Sequence, residues 1–319
     1  MGTSNAVTKE YVKDNRVFAD ICNYCIYNGR QVIKPEELEE RDVTELGIFT
    51  DDKGLESLER LRDVLKLVAV KQYGRTAYAI IGIENQTNTE YAMVVRSMVN
   101  DALNYDAQVK RLAKKHRKNK DLQGDEYISG IAATDKLIPV VTIVVFWNAD
   151  EWSGARCLYD MLDVDDKELL KFVNNYKLNL VVPREIADFG KFSTDFGIVM
   201  ECISCAEDEA AMQRFYDRAS EEKLLISNEA AKVLNVCIDA KIEMECNPEG
   251  GKVNMCRAID ALVAKGEARG IVQGEARKLV QMIERLMNKN NLMLDVACDM
   301  LDVSVEEYCS AKELITAYK

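Results

Sequence analysis

The run LIPVVTIVVFW, from Leu137 to Trp147, constrains the fold of this chain more than any other segment. It carries no charge and one hydroxyl side chain, and most of its residues are β-branched or aromatic. Such a run is typical of a central strand covered on both faces, and it is too short to cross a bilayer as a helix. Because a strand of this kind needs helices on each side of its sheet, the run predicts an α/β fold.

Two other segments have the composition of strands, RDVLKLVAVK (62–71) and AYAIIGIENQ (77–86). The four residues 73–76 between them include a glycine, which predicts a β-hairpin. Gln72 and Ala77 close the loop in this interpretation. Asp63 then lies opposite Gln86, with Glu84 as its diagonal neighbour on the same face, about 7–8 Å away at the backbone.

Two carboxylates and a carboxamide therefore meet at the open end of the predicted hairpin. They are within reach of one divalent cation, and Mg²⁺ favours one or two carboxylates together with waters and phosphate oxygens. The alternative is structural: Asp63 pairs with a nearby arginine, and Glu84 caps the loop that follows its strand.

The remaining segments alternate between helical and strand-like patterns. Their order is α-β-β-α-β followed by further helices, which predicts a mixed sheet flanked by helices. The helical segments are 16–28, 90–115, 165–173 and 206–235, and a short apolar stretch lies at 178–183. Residues 118–136, between the second helix and the central strand, are expected to be flexible.

The segment 90–115 is predicted to be an amphipathic helix with two faces. Its apolar residues recur at steps of three and four, as expected of the face that packs on the core. They are Tyr91, Val95, Met98, Ala102, Tyr105, Val109 and Leu112. The polar face comprises Arg96, Asn100, Asn104, Gln108, Arg111 and Lys115.

Basic charge is concentrated around this helix, although the chain as a whole is acidic. The 319 residues have a formal net charge of −12, whereas residues 60–120 hold 13 Lys or Arg and 5 Asp or Glu. A local basic surface on an acidic protein predicts an anion-binding site. The alternative is a solvated helix end without a ligand.

His116 is the only histidine, which excludes three-histidine zinc sites and argues against Ser-His-Asp hydrolases and histidine-metal nucleases, since each would depend on this one residue. Hydrolytic chemistry would then depend on carboxylates with an oxygen-liking metal, or on a nucleophile activated without imidazole. The N-terminal segment has no apolar signal-like stretch, and no apolar run approaches 18 residues. We therefore expect a cytoplasmic protein that does not enter a membrane.

Residues 251–319 are predicted to form a helical extension. The repeat GEARGIVQGEAR places Gly266, Gly270 and Gly274 at intervals of four, which indicates either close helix–helix contact or a spacer. The last residues predict two short helices, the second with Ser304 as N-cap and Glu307 at the box position. This segment is a candidate packing or dimerisation module that would form a homo-oligomer through its helices.

The sequence RDV at 62–64 is followed by IGIENQ at 81–86, with Glu84 21 residues after Asp63. This spacing resembles the D-(x)n-(D/E)-x-K signature of PD-(D/E)XK nucleases. Segments 16–38 and 79–109 and the Gly/Glu/Arg repeat at 266–277 resemble more specifically the Rpn family of recombination-promoting nucleases, also described as PD-(D/E)XK family transposases. The resemblance covers about residues 10–280. It implies a restriction-endonuclease-like mixed α/β fold for residues 1–250.

The resemblance also implies roles for individual residues. Asp63 and Glu84 match the metal-binding pair, and Asp20 matches an acidic residue brought toward the metal, which would be Mg²⁺ or Mn²⁺. Gln86 occupies the position of the motif lysine. It can orient a water molecule through its amide but, unlike lysine, cannot take up a proton.

The implied activity is metal-dependent hydrolysis of DNA phosphodiester bonds, in recombination or in mobile elements. Because no aromatic residues are interleaved with the cations, we expect contacts to the backbone of duplex DNA. The candidate contacts are Arg96, Gln108, Lys110, Arg111, Lys114, Lys115, Arg117 and Lys118.

The main alternative is a nuclease fold that has lost cleavage and acts as a nucleic-acid-binding or defence-related interaction protein. Gln86 and the net charge of −12 favour that alternative, and a structural oligomer scaffold is a third hypothesis.

Overall fold

The computed structural model describes residues 3–40, 63–72, 75–164, 166–242, 251–255, 274–287, 289 and 292–316. The chain divides into two compact units, Met1–Cys256 and Arg257–Lys319. Gly266 and Gly270 of the glycine repeat lie outside the described residues.

A mixed five-stranded sheet forms the centre of the first unit, which confirms the predicted α/β class. Its order is β1-β2-β3-β4-β5; the first three strands are antiparallel, and β4 and β5 continue parallel to β3. The strands are β1 (Leu38–Glu40), β2 (Val64–Gln72), β3 (Arg75–Gln86), β4 (Val140–Phe146) and β5 (Asn179–Val181). As the sequence predicts, β4 lies inside the sheet, between β3 and β5.

Eight α-helices and a small second sheet complete the described part of this unit. The helices are α1 (Thr3–Lys13), α2 (Asn15–Tyr27), α3 (Met93–Asn119), α4 (Gly124–Ser129), α5 (Lys167–Leu170), α6 (Phe196–Cys205), α7 (Glu209–Glu222) and α8 (Asn228–Cys237). The second sheet pairs β6 (Leu225–Ser227) with β7 (Lys252–Asn254) in antiparallel fashion. No described helix combines the length and the apolar character that crossing a lipid bilayer requires.

The predicted hairpin forms, but its predicted register is wrong by two residues. Gln72 pairs with Arg75, so only residues 73 and 74 lie between the strands. Two-residue loops are favoured because their twist matches that of the strands they join. The ladder ends at Val64 opposite Ile83, and extending it by one residue places Asp63 opposite Glu84 and not opposite Gln86.

The two faces of the sheet are covered by different helices. Lys66 pairs with Ile81, and its fully buried ammonium group contacts Asn15 and the Phe18 ring of α2. Because side chains alternate along a strand, Glu84 of β3 points to the opposite face, which α3 covers.

The predicted apolar face of α3 is largely wrong. Of its predicted members, Val95 and Val109 are each 37% exposed, Ala102 is exposed, and Tyr91, just before the helix, is 67% exposed. The buried residues of α3 are Met93, Val94, Ser97, Asn100, Asp101, Asn104 and Ala107. They also recur at steps of three and four, but four of them are polar. Polar residues of α3 can face the sheet because the sheet supplies hydrogen-bond partners for them. Hydrophobic periodicity does not detect such partners.

Two further predictions need correction. The predicted helix 206–235 is interrupted, because residues 225–227 form β6 and Ser227 begins a new helix by accepting a hydrogen bond from the Ala230 amide. The segment 118–136, expected to be flexible, contains the last residues of α3 and the whole of α4.

The second unit has its own apolar cluster. It is built by helical residues 274–287 (α9), by α10 (Leu294–Asp299) and by α11 (Val305–Thr316). The predicted capping box is confirmed: Ser304 Oγ accepts from the Glu307 amide at 3.1 Å, and Glu307 accepts from the Ser304 amide at 2.8 Å.

Candidate functional site

Glu84 is the most constrained acidic residue of the predicted site. Its side chain is fully buried between the end of β3 and the start of α3. Asn100 Nδ2 lies 3.4 Å from Oε1, and Arg96 Nη2 lies 3.4 Å from Oε2. A buried carboxylate is costly unless charged or polar groups balance it, and these two side chains provide that balance.

Asp63 directly precedes β2, and one further residue of the β2–β3 ladder would place its backbone opposite that of Glu84. Its Oδ2 atom accepts a hydrogen bond from the Asn85 backbone amide at 2.7 Å, and Asn85 Nδ2 is 3.4 Å away. Trp147 Nε1 donates to Asn85 Oδ1 at 2.8 Å, which fixes the asparagine side chain. The carboxylate of Asp63 is therefore held against the backbone of the residue that follows Glu84.

Gln86 ends β3 on the same face as Glu84. Its carbonyl oxygen accepts from the Trp147 amide at 2.8 Å, and its side chain is half-buried. Within the described residues, the side-chain carboxamide of Gln86 has no hydrogen-bond partner. This amide is available to a water molecule or a ligand.

Asp20 is not brought to this pair. It is buried on α2, which covers the opposite face of the sheet. Its two oxygens accept from the backbone amides and hydroxyl groups of Ser193 and Thr194, at 2.6–3.0 Å. Because these donors occupy the lone pairs of the carboxylate, Asp20 anchors the segment that precedes α6.

Asp63 and Glu84 are the two carboxylates that the sequence predicts as metal ligands at this end of the hairpin. In the part of the chain that is described, no three His, Cys, Asp or Glu side chains lie close enough together to hold a metal. Mg²⁺ is commonly bound by one or two carboxylates, with waters and phosphate oxygens as its other ligands. A Mg²⁺ ion at this position would therefore have to be held by Asp63 and Glu84 together with waters and phosphate oxygens, because the described residues offer no all-protein cage.

A buried polar layer between α3 and the sheet supports Glu84. Asp101 accepts hydrogen bonds at 2.6 Å from the Thr142 hydroxyl on β4 and from the Tyr176 hydroxyl. Asn104 Nδ2 donates at 2.9 Å to the backbone carbonyl of Asn100, the residue whose side chain contacts Glu84. The sequence prediction missed this layer, although Thr142 is the only polar residue of its strand-like run and signals it.

The predicted DNA-binding residues separate into two groups. Arg96 lies against Glu84, and Gln108 is bound to the Ile138 backbone through both its amide nitrogen (3.0 Å) and its oxygen (2.7 Å). The other six are exposed on the C-terminal half of α3, and we call them the cationic segment. They are Lys110, Arg111, Lys114, Lys115, Arg117 and Lys118.

The cationic segment is distant from the carboxylates. At 1.5 Å per helical residue, the backbone of Lys110 is about 20 Å from that of Arg96, and Lys118 is about 33 Å from it. A nucleic acid that reaches both Glu84 and the cationic segment must therefore follow much of the length of α3.

Comparison of the chain with known sequence families, with curated proteins and with solved structures finds no match.

Proposed function

We propose that this chain is a Mg²⁺- or Mn²⁺-dependent DNA endonuclease with a PD-(D/E)XK-type fold, acting in recombination or in mobile elements. The observation that carries the proposal is the position of Asp63 against the Asn85 backbone, next to Glu84, at one end of the β2–β3 hairpin. The mixed sheet, covered by helices on both faces, agrees with the fold that the sequence resemblance implies.

Each residue of the site has a distinct part in this proposal. Asp63 and Glu84 would hold the metal, which supplies Lewis-acid activation of water and neutralises charge on the phosphate. Gln86 orients the attacking water through its unpaired amide. Because an amide does not take up a proton, Gln86 would not serve as the base, and the metal ions or the substrate phosphate would have to supply that function.

Arg96 and the cationic segment provide the positive charge. Arg96 balances the buried charge of Glu84, and its side chain is 35% exposed, so it also faces the side from which a phosphate would approach. The cationic segment would contact the backbone of duplex DNA without reading its sequence.

Conversion of supercoiled plasmid to nicked or linear DNA, measured with Mg²⁺ and with EDTA, tests the proposal. We expect cleavage with the metal, and a loss of at least about 100-fold in Asp63→Asn and in Glu84→Gln, because each removes a metal ligand. The matched control is Glu168→Gln, an exposed acid on α5 that should leave cleavage unchanged. Cleavage that persists in both site variants would rule out this site.

A nuclease fold without cleavage remains the second candidate. The close approach of Arg96 to Glu84 and the glutamine at position 86 both favour it. Metal-independent DNA binding by a wild-type protein that cleaves neither plasmid nor oligonucleotide would select this alternative.

A further inference from the structure

A cavity of about 590 Å³ lies beside the C-terminal end of the cationic segment, where the end of α3 meets α4. Arg117 and Lys120 line it from α3 and its cap, and Tyr127 and Ile128 line it from α4. Its volume is in the range of small-ligand pockets, about 300–1,000 Å³. The sequence analysis predicts a flexible segment here and no aromatic residues interleaved with the cations.

The walls of this cavity are held in place by specific contacts. The His116 ring bridges two carboxylates, with Nδ1 2.8 Å from Asp121 and Nε2 2.9 Å from Asp135. Gly130 ends α4 with φ +76°, and a Cβ there would lie 3.1 Å from the Cβ of Ala113 on α3. The close approach of the two helices and the histidine bridge indicate a preformed cavity.

The lining combines free positive charge with an exposed aromatic ring. No carboxylate lines the cavity, and in the described part of the chain neither Arg117 nor Lys120 takes part in a salt bridge. Tyr127 is 73% exposed and Ile128 is 83% exposed, so both side chains are accessible to a ligand. Leu122 adds an apolar wall.

We propose that this cavity binds one unpaired nucleotide, at a strand end or overhang of the nucleic acid that follows α3. The base stacks on Tyr127 and against Ile128, and its phosphate is bound by Arg117 and Lys120. The inference rests on the proposed function, because the cationic segment brings the strand to the cavity. A ligand with both an aromatic face and a negative charge is what this lining recognises.

Fluorescence anisotropy in EDTA, which prevents metal-dependent cleavage, tests the site on the full chain. The probes are a short labelled duplex with a single-stranded overhang and the same duplex with blunt ends. We expect Tyr127→Ala to weaken binding of the overhang probe about 5- to 100-fold, the range measured for loss of base–aromatic stacking, and to leave the blunt probe within about 2-fold. Tyr127→Phe keeps the ring and should bind as the wild type does.

Phe172→Ala is the matched control, because Phe172 is also an exposed aromatic residue (88%) and lies just after α5. Equal losses for blunt and overhang probes, or a Tyr127→Phe variant as weak as Tyr127→Ala, would overturn the inference. Competition by free deoxyadenosine monophosphate that depends on Tyr127 would support the same chemistry with a free nucleotide as its source. Plasmid cleavage by the Asp63 and Glu84 variants is measured separately, so failure of this site and failure of the proposed activity are distinguishable.

Discussion

Glu84 shows how a single buried charge determines the chemistry of its surroundings. A carboxylate with no exposed surface is stable only where donors and cations approach it, and here Arg96 and Asn100 do so. The same two contacts hold Glu84 toward α3 and away from the helices on the other face. The ion pair therefore serves the fold, whether or not a metal also binds.

Removing the guanidinium should destabilise the protein. We expect Arg96→Ala to lower the free energy of unfolding by about 1–3 kcal/mol, because it leaves a buried acceptor less satisfied. The double variant Arg96→Ala/Glu84→Gln should lose less than the sum of the two single variants, since the buried charge is then gone. Urea denaturation of the four proteins measures this coupling. Strict additivity would show that the two side chains do not interact.

A substitution of Asp20 tests whether this residue anchors the segment before α6, as its contacts indicate, or binds a metal. We expect Asp20→Asn to lower the free energy of unfolding by about 1–3 kcal/mol, since an amide cannot accept from all the donors of Ser193 and Thr194. Metal affinity, measured by Mn²⁺ titration of the folded variant, should be unchanged. Weaker Mn²⁺ binding at unchanged stability would instead place Asp20 among the metal ligands.

At the scale of elements, strand existence is predictable from the sequence, whereas pairing and helix orientation are not. The run around β4 and the two hairpin segments are recognisable because burial on a sheet leaves a local pattern of β-branched residues. The register depends on whether the loop has two or four residues. The apolar composition of the two strands is compatible with either loop length, so it does not determine the register. The buried face of α3 depends on Thr142 and Tyr176, which are distant in sequence, so helical periodicity alone selected the wrong face.

The bridge from α3 to the following segment through His116 should make stability depend on pH. The hydrogen bonds that the protonated His116 ring donates, first to Asp121 and then to Asp135, raise the pKa of His116, so protonation stabilises the folded state. That contribution is complete below the unfolded-state pKa of about 6.5 and is lost as pH rises through the raised pKa. Lys115, Arg117 and Lys120, the cations of the same helix end, oppose protonation only weakly because all three are exposed.

His116→Gln removes this titration while keeping a polar side chain. The difference in unfolding free energy between wild type and His116→Gln, measured in urea, should therefore be larger near about pH 6 than near about pH 9. The pKa values of Asp121 and Asp135 are both lowered. The stability that these two carboxylates contribute to the folded state is therefore lost only at acidic pH. A difference that does not change between these two pH values would contradict the bridge.

At the scale of the whole molecule, the cationic segment has to act against a formal net charge of −12. The overall charge repels DNA at long range, whereas the six exposed cations attract it locally, so affinity should depend strongly on salt. Each phosphate that a cation neutralises contributes a slope of about −0.9 to the plot of log K against log salt concentration.

We expect Lys114→Ala/Lys115→Ala to make the slope for duplex binding less negative by about 2. The matched control is Lys167→Ala/Lys171→Ala, on and just after α5, which should leave the slope unchanged. An equal change in both double variants would mean that DNA responds to net charge alone and that α3 is not its binding surface.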